Sequence, residues 1–306
     1  MRVAIGVDVG GTKTAAGVVG PRGELLRTTV RPTPARAGAA AVLATACDVA
    51  ATLLAWARGQ GHDVVGCGAG VAGTVDLAGV ITHATDALPG WAGTDVASAL
   101  AAATGLPARV VNDVHALALG EVRSGAAAGL PSALVVAVGT GIGGAFVVGG
   151  ELVVGRTGTA GAIGHVPVVG ESRPCPCGGV DHLEAYASGP AIVARYRERG
   201  GAAARLEDVV AAAGAGVVLA RDALAEAGAM IGYAVAGAMN LLDPHAVVLG
   251  GGVVNVGPML LDAVRREIAA SALPGPRAVP VRTVAVPEYA NVIGAASLVT
   301  LETASA

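Results

Sequence analysis

Residues 3–19, VAIGVDVGGTKTAAGVV, place a glycine-rich turn between two apolar stretches that are rich in valine. Valine is enriched in strands, and glycine allows a tight turn, so the segment predicts strands over Val3–Val9 and Ala15–Val19. A second glycine turn then precedes a third predicted strand, Glu24–Val30. We therefore expect the chain to open with a β-meander.

The same arrangement returns in the middle of the chain. Residues 7–19, VDVGGTKTAAGVV, align with residues 136–148, VAVGTGIGGAFVV, and a Gly-Glu-Leu turn follows each segment. A strand–turn–strand unit that occurs twice predicts two like halves that arose by duplication.

The spacing of apolar residues, together with the glycines and prolines that interrupt helices and strands, predicts the remaining elements. Further strands are expected at 64–71, 108–111, 132–138, 145–148, 246–249 and 281–286, and helices at 39–58, 94–103, 114–124, 209–242, 258–270 and 293–303. The predicted fold class is α/β.

Composition excludes several classes of function. The 306 residues are 53% hydrophobic, but we find no run of 18 apolar residues and expect no membrane partner. The first residues lack the pattern of a secretory signal, and Cys47 and Cys67 are interpreted as small core residues rather than a disulfide framework. A net charge of −3 without a Lys/Arg stripe argues against nucleic acid. We expect a cytoplasmic protein.

Three glycine clusters follow predicted strands: Gly10-Gly11-Thr12, Gly139-Thr140-Gly141 and Gly250-Gly251-Gly252. Backbone N–H groups in such turns can approach phosphate oxygens, because no Cβ blocks the approach. One cluster alone is weak evidence among 47 glycines, and none has the P-loop or Rossmann spacing. Together, in this order, they match the actin-like arrangement, in which two lobes hold ATP between them.

From about residue 3 to 300 the chain resembles the ROK family (repressors, open reading frames and sugar kinases). The resemblance is carried by Asp8-Val-Gly-Gly-Thr-Lys13, Gly70-Val-Ala-Gly-Thr-Val-Asp76, Val111-Asn-Asp113, Gly139-Thr-Gly-Ile-Gly-Gly144, Gly164-His165 and Cys175-Pro-Cys177-Gly178. It implies a two-lobed actin-like ATPase (ribonuclease H-like) fold with the active site in the cleft between the lobes. The expected smaller lobe is 1–117 with a C-terminal helix at about 290–306. The expected larger lobe is 118–289, with an insert at 156–190.

The resemblance also implies the reaction, which is phosphoryl transfer from MgATP to a sugar hydroxyl, usually the 6-hydroxyl of a hexose. Asp113 would be the general base, because a carboxylate at a strand end can accept the proton of an attacking hydroxyl. Asn112 would hold a ring hydroxyl, Asp8 would position Mg²⁺ water or phosphate, and Lys13 would face the phosphates. The structural alternative for Asn112-Asp113 is an N-cap of the following helix.

The family pattern carries over to two sets of residues. The expected sugar contacts are Gly73, Asn112, Asp113, His165 and Glu184. The expected nucleotide contacts are Asp8, Gly10, Gly11, Thr12, Lys13, Gly139, Thr140, Gly141, Gly250 and Gly251.

A zinc site is implied at His165, Cys175, Cys177 and His182. The family form is G-H-x9-C-x-C-G-x-x-G-C-x-E, and this chain keeps the spacing but has Asp181 in place of the glycine and His182 in place of the last cysteine. Histidine is a competent zinc ligand, so a structural Cys₂His₂ site is expected. The alternative is two free thiols beside two unrelated histidines.

One departure concerns the substrate. The family's E-x-G-H segment reads Ala162-Ile-Gly-His165 here, so a carboxylate that contacts the sugar is missing. The resemblance therefore leaves open glucose, a modified hexose such as an amino sugar (kanosamine-like), and a catalytically silent sugar-binding protein. A repressor would need a winged helix, which we do not expect because the chain begins close to its first strand. The family further implies a homodimer.

Overall fold

A five-stranded mixed sheet organises the first part of the protein. The computed structural model describes residues 1–85, 87–168, 170–252, 256–285 and 289–300. The strands of this part are β1 (Arg2–Val9), β2 (Lys13–Val19), β3 (Leu25–Pro32), β4 (Asp63–Val71), β5 (Thr74–Val75), β6 (Ile81–His83) and β7 (Ala108–Asn112). The sheet has the order β3-β2-β1-β4-β7, antiparallel from β3 to β1 and parallel from β1 to β7. The predicted opening β-meander is confirmed.

Helices cover both faces of this sheet. They are α1 (Ala39–Gly59), α2 (Val96–Thr104), α3 (Asp113–Ser124) and α9 (Ala290–Thr300). Helix α1 is long and apolar enough to cross a membrane by length and composition, although Asp48 interrupts its apolar residues. One of its faces is nevertheless buried in the core beside β1 and β4, which is the arrangement of a core helix.

Helix α9 packs unusually close to the sheet. A Cβ added at Gly6 would lie 1.9 Å from the Val292 carbonyl oxygen, and one at Gly68 would lie 1.7 Å from that of Ala295. On another side of the helix, a Cβ at Gly294 would lie 1.8 Å from the Ala116 oxygen of α3. Glycine at these positions therefore allows helix and strand backbones to touch.

A second five-stranded sheet repeats the order of the first. Its strands are β8 (Ser132–Val138), β9 (Ile142–Val148), β10 (Glu151–Leu152), β11 (Val247–Gly250) and β12 (Val281–Thr283), in the order β10-β9-β8-β11-β12. In both sheets the first strand is central, its hairpin partners lie on one side and two later parallel strands lie on the other. The predicted repeat is confirmed.

The helices around the second sheet are α4 (Glu184–Ala187), α5 (Gly189–Glu198), α6 (Leu206–Gly214), α7 (Val218–Leu242) and α8 (Pro258–Ser271). Helices α7 and α8 pack together through Gly228 and Gly232, where an added Cβ would lie 2.6 Å from the carbonyl oxygens of Leu260 and Val264.

Several predicted bounds need correction. Strand β9 begins at Ile142 rather than Ala145. Glycine at 144 is required for packing and not for a turn, because a Cβ there would lie 2.5 Å from the Gly161 oxygen. The predicted helix 209–242 is two helices, separated where Gly216 has φ +93°. Helix α5 was not predicted. The predicted strand at 281–286 and helix at 293–303 extend in part outside the described residues.

The structure divides into two compact units. One comprises the described residues of Met1–Pro131, Ala145–Ala160 and Ala285–Ala306, and the other those of Ser132–Gly144 and Gly161–Val284. Helix α3 continues without a break through the domain boundary that we predicted at 117. That predicted division into 1–117 with 290–306, and 118–289, stays a prediction.

Candidate active site

Asp113 lies immediately after β7, as the first residue of α3. Asn112 is the N-cap of this helix, and its Oδ1 accepts a hydrogen bond from the Val114 N–H at 2.8 Å. The Asp113 Oδ1 accepts from the same N–H at 2.9 Å. The N-cap interpretation therefore applies to Asn112, and only one of the two carboxylate oxygens of Asp113 bonds to the helix end.

Asn112 also fixes the loop after β4. Its Nδ2 donates to the Gly73 carbonyl oxygen at 2.8 Å, and the Trp91 indole N–H donates to the Ala72 oxygen at 3.0 Å. Gly73 has φ +107°, and a Cβ there would lie 2.5 Å from the His83 oxygen, so this position requires glycine. The two predicted sugar contacts Gly73 and Asn112 are thus hydrogen-bonded to each other. The Asn112 Oδ1 keeps the capacity to accept one more hydrogen bond.

Asp8 lies near the carboxyl end of β1, paired with Gly70 of β4. Asn291, in the first turn of α9, donates from Nδ2 to the Asp8 Oδ1 at 3.1 Å. Burial raises the pKa of Asp8, while the Asn291 hydrogen bond and the Lys13 charge lower it. Asn291 was not among the predicted site residues. The only signal for it in the sequence is one amide in an otherwise apolar helix start.

The carboxyl group of Asp113 has an altered acidity. Burial, followed by the nearby charge of Asp8, raises the pKa of Asp113 to about 6, against the lowering effect of its hydrogen bonds. Gly70 allows this arrangement, because a Cβ there would lie 2.6 Å from the Ala116 Cβ and displace α3. A carboxylate with such a pKa is ionised at neutral pH and is a stronger base than an exposed aspartate.

The turn between β1 and β2 contains the first glycine cluster. The Gly10 N–H donates to the Lys13 oxygen at 3.0 Å, and the Thr33 N–H donates to the Thr12 oxygen at 3.0 Å. Thr12 and Lys13 are exposed, and Gly11 is partly exposed. The turn therefore presents the single lysine of the chain to solvent.

The other two clusters end neighbouring strands of the second sheet. Gly139–Gly141 follows β8, and Gly250 of β11 pairs with Ala137 of β8. Gly251 has φ +81°, and a Cβ there would lie 2.3 Å from the Val138 oxygen. The two predicted phosphate-binding clusters of this unit are thereby brought together at one sheet edge.

The four predicted zinc ligands come together. The Cys175 Sγ lies 3.7 Å from the His165 Nδ1, the Cys177 Sγ lies 3.1 Å from the His182 Nδ1, and all four ligand atoms lie within 4.8 Å of one another. In a tetrahedral zinc site, sulfur and nitrogen ligands stand about 3.5 Å apart, given usual Zn–S and Zn–N bonds. The donor set and spacing fit zinc.

The loop of the predicted zinc ligands accommodates Asp181 at the position where the family pattern has glycine. Asp181 has φ +57°, a conformation that aspartate tolerates better than most residues. Its Oδ1 accepts hydrogen bonds from the Arg173 N–H at 2.9 Å and from the Tyr186 hydroxyl. The Tyr186 hydroxyl in turn accepts from the Glu171 N–H at 2.5 Å. The loop therefore has a set of polar contacts independent of the four ligands.

Ala162 precedes a short 3-10 turn, Ile163–His165. The turn lies against β9, because a Cβ at Gly164 would lie 1.9 Å from the Ile142 oxygen. The Ala162 side chain is exposed and offers no hydrogen-bonding group. The structure thus places a methyl group where the resembled pattern has a carboxylate.

Comparison with known proteins gives consistent likenesses. The sequence model of the ROK family matches residues 4–302. The glucokinase of Streptomyces coelicolor is 33% identical over 284 residues, which cover 87% of each chain. The glucokinase of Thermotoga maritima is 31% identical over 314 residues, covering 96% of each.

Two solved structures resemble the whole chain. The ROK hexokinase from Thermus thermophilus has a TM-score of 0.85 at 33% identity, covering 99% of this chain and 100% of its own. The ROK family glucokinase from Streptomyces griseus, solved in complex with glucose and AMPPNP, has a TM-score of 0.81 at 32% identity, covering 98% and 99%. These likenesses confirm the predicted α/β, actin-like ATPase fold.

Proposed function

Because this chain belongs to the ROK family, we propose that it is an ATP-dependent hexose kinase that phosphorylates the 6-hydroxyl of its sugar. The observation that carries the proposal is the Asp113 carboxylate, which lies at a strand end next to Asp8 and has a pKa raised to about 6. Relatives named glucokinase and the neighbour solved with glucose and AMPPNP support a sugar and ATP as the substrates.

Asp113 would act as the general base. It would accept the proton of the sugar 6-hydroxyl as that oxygen bonds to the γ-phosphorus, while the bond from the γ-phosphorus to the bridging oxygen breaks and ADP leaves. Asn112 would orient the sugar, because its amide is already fixed by Gly73 and keeps further hydrogen-bonding capacity. Loss of a general base typically lowers the rate by roughly 10²–10⁴-fold.

The glycine clusters would receive the nucleotide phosphates. The pairing of Gly250 with Ala137 of β8 supports this role, because it brings the second and third clusters to the same end of the sheet. Lys13, exposed on the first turn, would add a positive charge. Asp8 would hold Mg²⁺ or its water, and Mg²⁺ when bound neutralises charge on the phosphates.

Zinc would have a structural role at His165, Cys175, Cys177 and His182, where the donor spacing fits it. The ligands connect the 3-10 turn at His165 with His182, two residues before α4. We propose that the metal fixes the start of α4 and hence Glu184.

Two substrate classes follow from Ala162. A glucokinase would place a water where the family carboxylate is missing, whereas a kinase of a modified hexose, such as a kanosamine-like amino sugar, would make different contacts there. The alternative is a catalytically silent sugar-binding protein. The loss of the family carboxylate at Ala162 favours this alternative. From the family resemblance we further propose a cytoplasmic homodimer.

A coupled assay of ADP release over a panel of hexoses and amino-hexoses tests these proposals. We expect sugar-dependent ADP release that Asp113→Asn and Asp113→Ala abolish while ATP still binds. An Asp113→Ala variant within about threefold of the wild-type kcat would refute the assignment of the base, since a general base contributes far more. Sugar binding without ADP release in the wild type would establish the silent alternative.

A further inference from the structure

Two regions predicted for different substrates meet at Glu184. The family resemblance assigns this carboxylate to the sugar, and in the structure its Oε2 accepts a hydrogen bond from the Ile142 N–H at 2.7 Å. Ile142 directly follows the Gly139–Gly141 turn, which is assigned to the nucleotide phosphates. One side chain therefore bonds to the end of the phosphate turn.

Gly141 makes room for this carboxylate. A Cβ at Gly141 would lie 2.5 Å from the Glu184 Oε2 and 3.3 Å from its Cδ. Neither Gly139 nor Gly141 has a positive φ, so the backbone conformation does not require glycine at either position. What requires glycine at 141 is the close approach of Glu184.

The other end of the turn is held by the same short segment. The Gly189 N–H, at the start of α5, donates to the Gly139 oxygen at 2.8 Å. Helix α4 lies between these two contacts and begins at Glu184 itself. Residues 184–189 thus hold the phosphate turn at both ends, and a displacement of Glu184 would be transmitted to the turn.

We propose that Glu184 couples the binding of the two substrates, with Oε2 positioning the phosphate turn and Oε1 left to accept a hydrogen bond from the sugar. Within the described residues, no hydrogen bond engages Oε1. A sugar hydroxyl on Oε1 would restrict the carboxylate, and the restricted carboxylate would hold the Ile142 N–H and the turn in place. Each substrate would then raise the affinity for the other by the same factor, since coupling is reciprocal. The proposal rests on the proposed hexose kinase function.

Calorimetric titrations with AMPPNP and with the best sugar of the panel, each alone and with the other saturating, test the coupling. In the wild type we expect each ligand to raise the affinity for the other by about fivefold or more. Gly141→Ala removes no polar group, yet it should displace the Glu184 carboxylate. It should therefore lower the affinity for sugar, measured without nucleotide, by about fivefold and abolish the coupling. Gly237→Ala, on α7 and outside the predicted binding residues, is the control, because nothing lies within 4 Å of its added Cβ and sugar affinity should not change.

Changes at Glu184 test the reverse direction. Glu184→Gln keeps an oxygen for the Ile142 N–H and should bind AMPPNP alone as the wild type does, whereas Glu184→Ala should bind it several-fold more weakly. Melting curves identify any variant that fails to fold, in which case the Gln variant and the Gly141→Ala variant decide the outcome.

Equal sugar affinity in Gly141→Ala and Gly237→Ala would overturn the coupling, as would equal AMPPNP affinity in Glu184→Ala and the wild type. A wild type that binds no sugar of the panel would refute the proposed function instead. The sugar-free comparison of the Ala and Gln variants would still decide whether Glu184 positions the turn.

Discussion

The charge of Asp8, on the strand next but one to β7, raises the pKa of the Asp113 carboxyl group. This effect adds to that of burial, and the two together give a pKa of about 6. The relationship links the group expected to hold Mg²⁺ to the group expected to take the proton.

The first prediction concerns the pH dependence of turnover. A general base must be ionised, so kcat/KM should be level near neutral pH and fall as the pH drops below about 6. Asp8→Asn removes a neighbouring negative charge and should move this fall to lower pH, whatever its effect on the maximal rate. Asp48→Asn, at an exposed position on α1, is the control that should leave the midpoint unchanged. A midpoint that is the same in Asp8→Asn as in the wild type would contradict the prediction.

The second prediction concerns stability. Because the folded-state pKa of Asp113 is raised from 3.8 to about 6, the folded protein holds a proton that the unfolded chain releases between these values. Stability from this group is therefore present at low pH and lost as the pH rises through about 6. The amide of the Asp113→Asn variant cannot ionise, so the variant avoids this fall in the free energy of unfolding. It should be more stable than the wild type at pH 8, by roughly 1–3 kcal/mol.

Urea unfolding of Asp113→Asn and of the wild type at pH 4.5 and pH 8 measures this effect. The difference between the two proteins should grow with pH, while the variant has lost turnover. A difference that does not depend on pH would show that folding does not raise the pKa of the Asp113 carboxyl.

The third prediction concerns zinc. Elemental analysis of protein purified without added metal should give about one zinc per chain, and Cys175→Ser or His182→Ala should lose it. Removal of zinc should lower the melting temperature, because the metal connects segments with few apolar contacts. Cys47→Ser, on α1, is the control that should keep its zinc. Zinc-free protein with full activity and an unchanged melting temperature would refute a structural role.

The fourth prediction concerns the substrate. A buried hydroxyl without a hydrogen-bond partner costs on the order of 1–3 kcal/mol. If nothing replaces the carboxylate missing at Ala162, the affinity for glucose should therefore be roughly tenfold to a hundredfold lower. Ala162→Glu should then improve kcat/KM for glucose and reduce it for a modified hexose. If glucose is already the best substrate of the wild type and Ala162→Glu leaves it unaltered, the modified-sugar proposal is wrong.

The fifth prediction concerns the contact between α9 and the first sheet. Gly68→Ala would bring a Cβ to 1.7 Å from a backbone oxygen, which no rotamer change can relieve. It should destabilise the protein by at least about 2 kcal/mol in urea unfolding. Gly59→Ala, at the end of α1 with nothing within 4 Å of the added Cβ, should change stability by less than about 1 kcal/mol. Similar losses in both variants would show that the close packing is not decisive.

The β-meander and its repeat were predictable from the sequence, because each hairpin is local and its apolar runs and glycine turns are contiguous. The family pattern likewise predicted that His165, Cys175, Cys177 and His182 come together, and the structure places them in one cluster. The catalytic and binding roles of the site residues stay predictions.

Contacts between distant segments could not be predicted in this way. The bond between Asn291 and Asp8 joins residues 283 positions apart and depends on how closely α9 approaches β1. The contact between Glu184 and the Ile142 N–H depends on helix α4, whose four residues are too few to show a helical period. Sequence periodicity reports which face of an element is apolar, not which backbone will touch it.

The close packing of α9 also has a consequence for synthesis. The first strand leaves the ribosome early, but the helix whose backbone lies against Gly6 and Gly68 begins only at Ala290. At 5–20 residues per second, the apolar face around Ala4 and Val19 therefore waits about 15–60 s for Val292 and Ala296 to cover it. The unit that contains the first strand is thus completed only when the last helix has been made, and until then its uncovered sheet face is an apolar surface that a chaperone could bind.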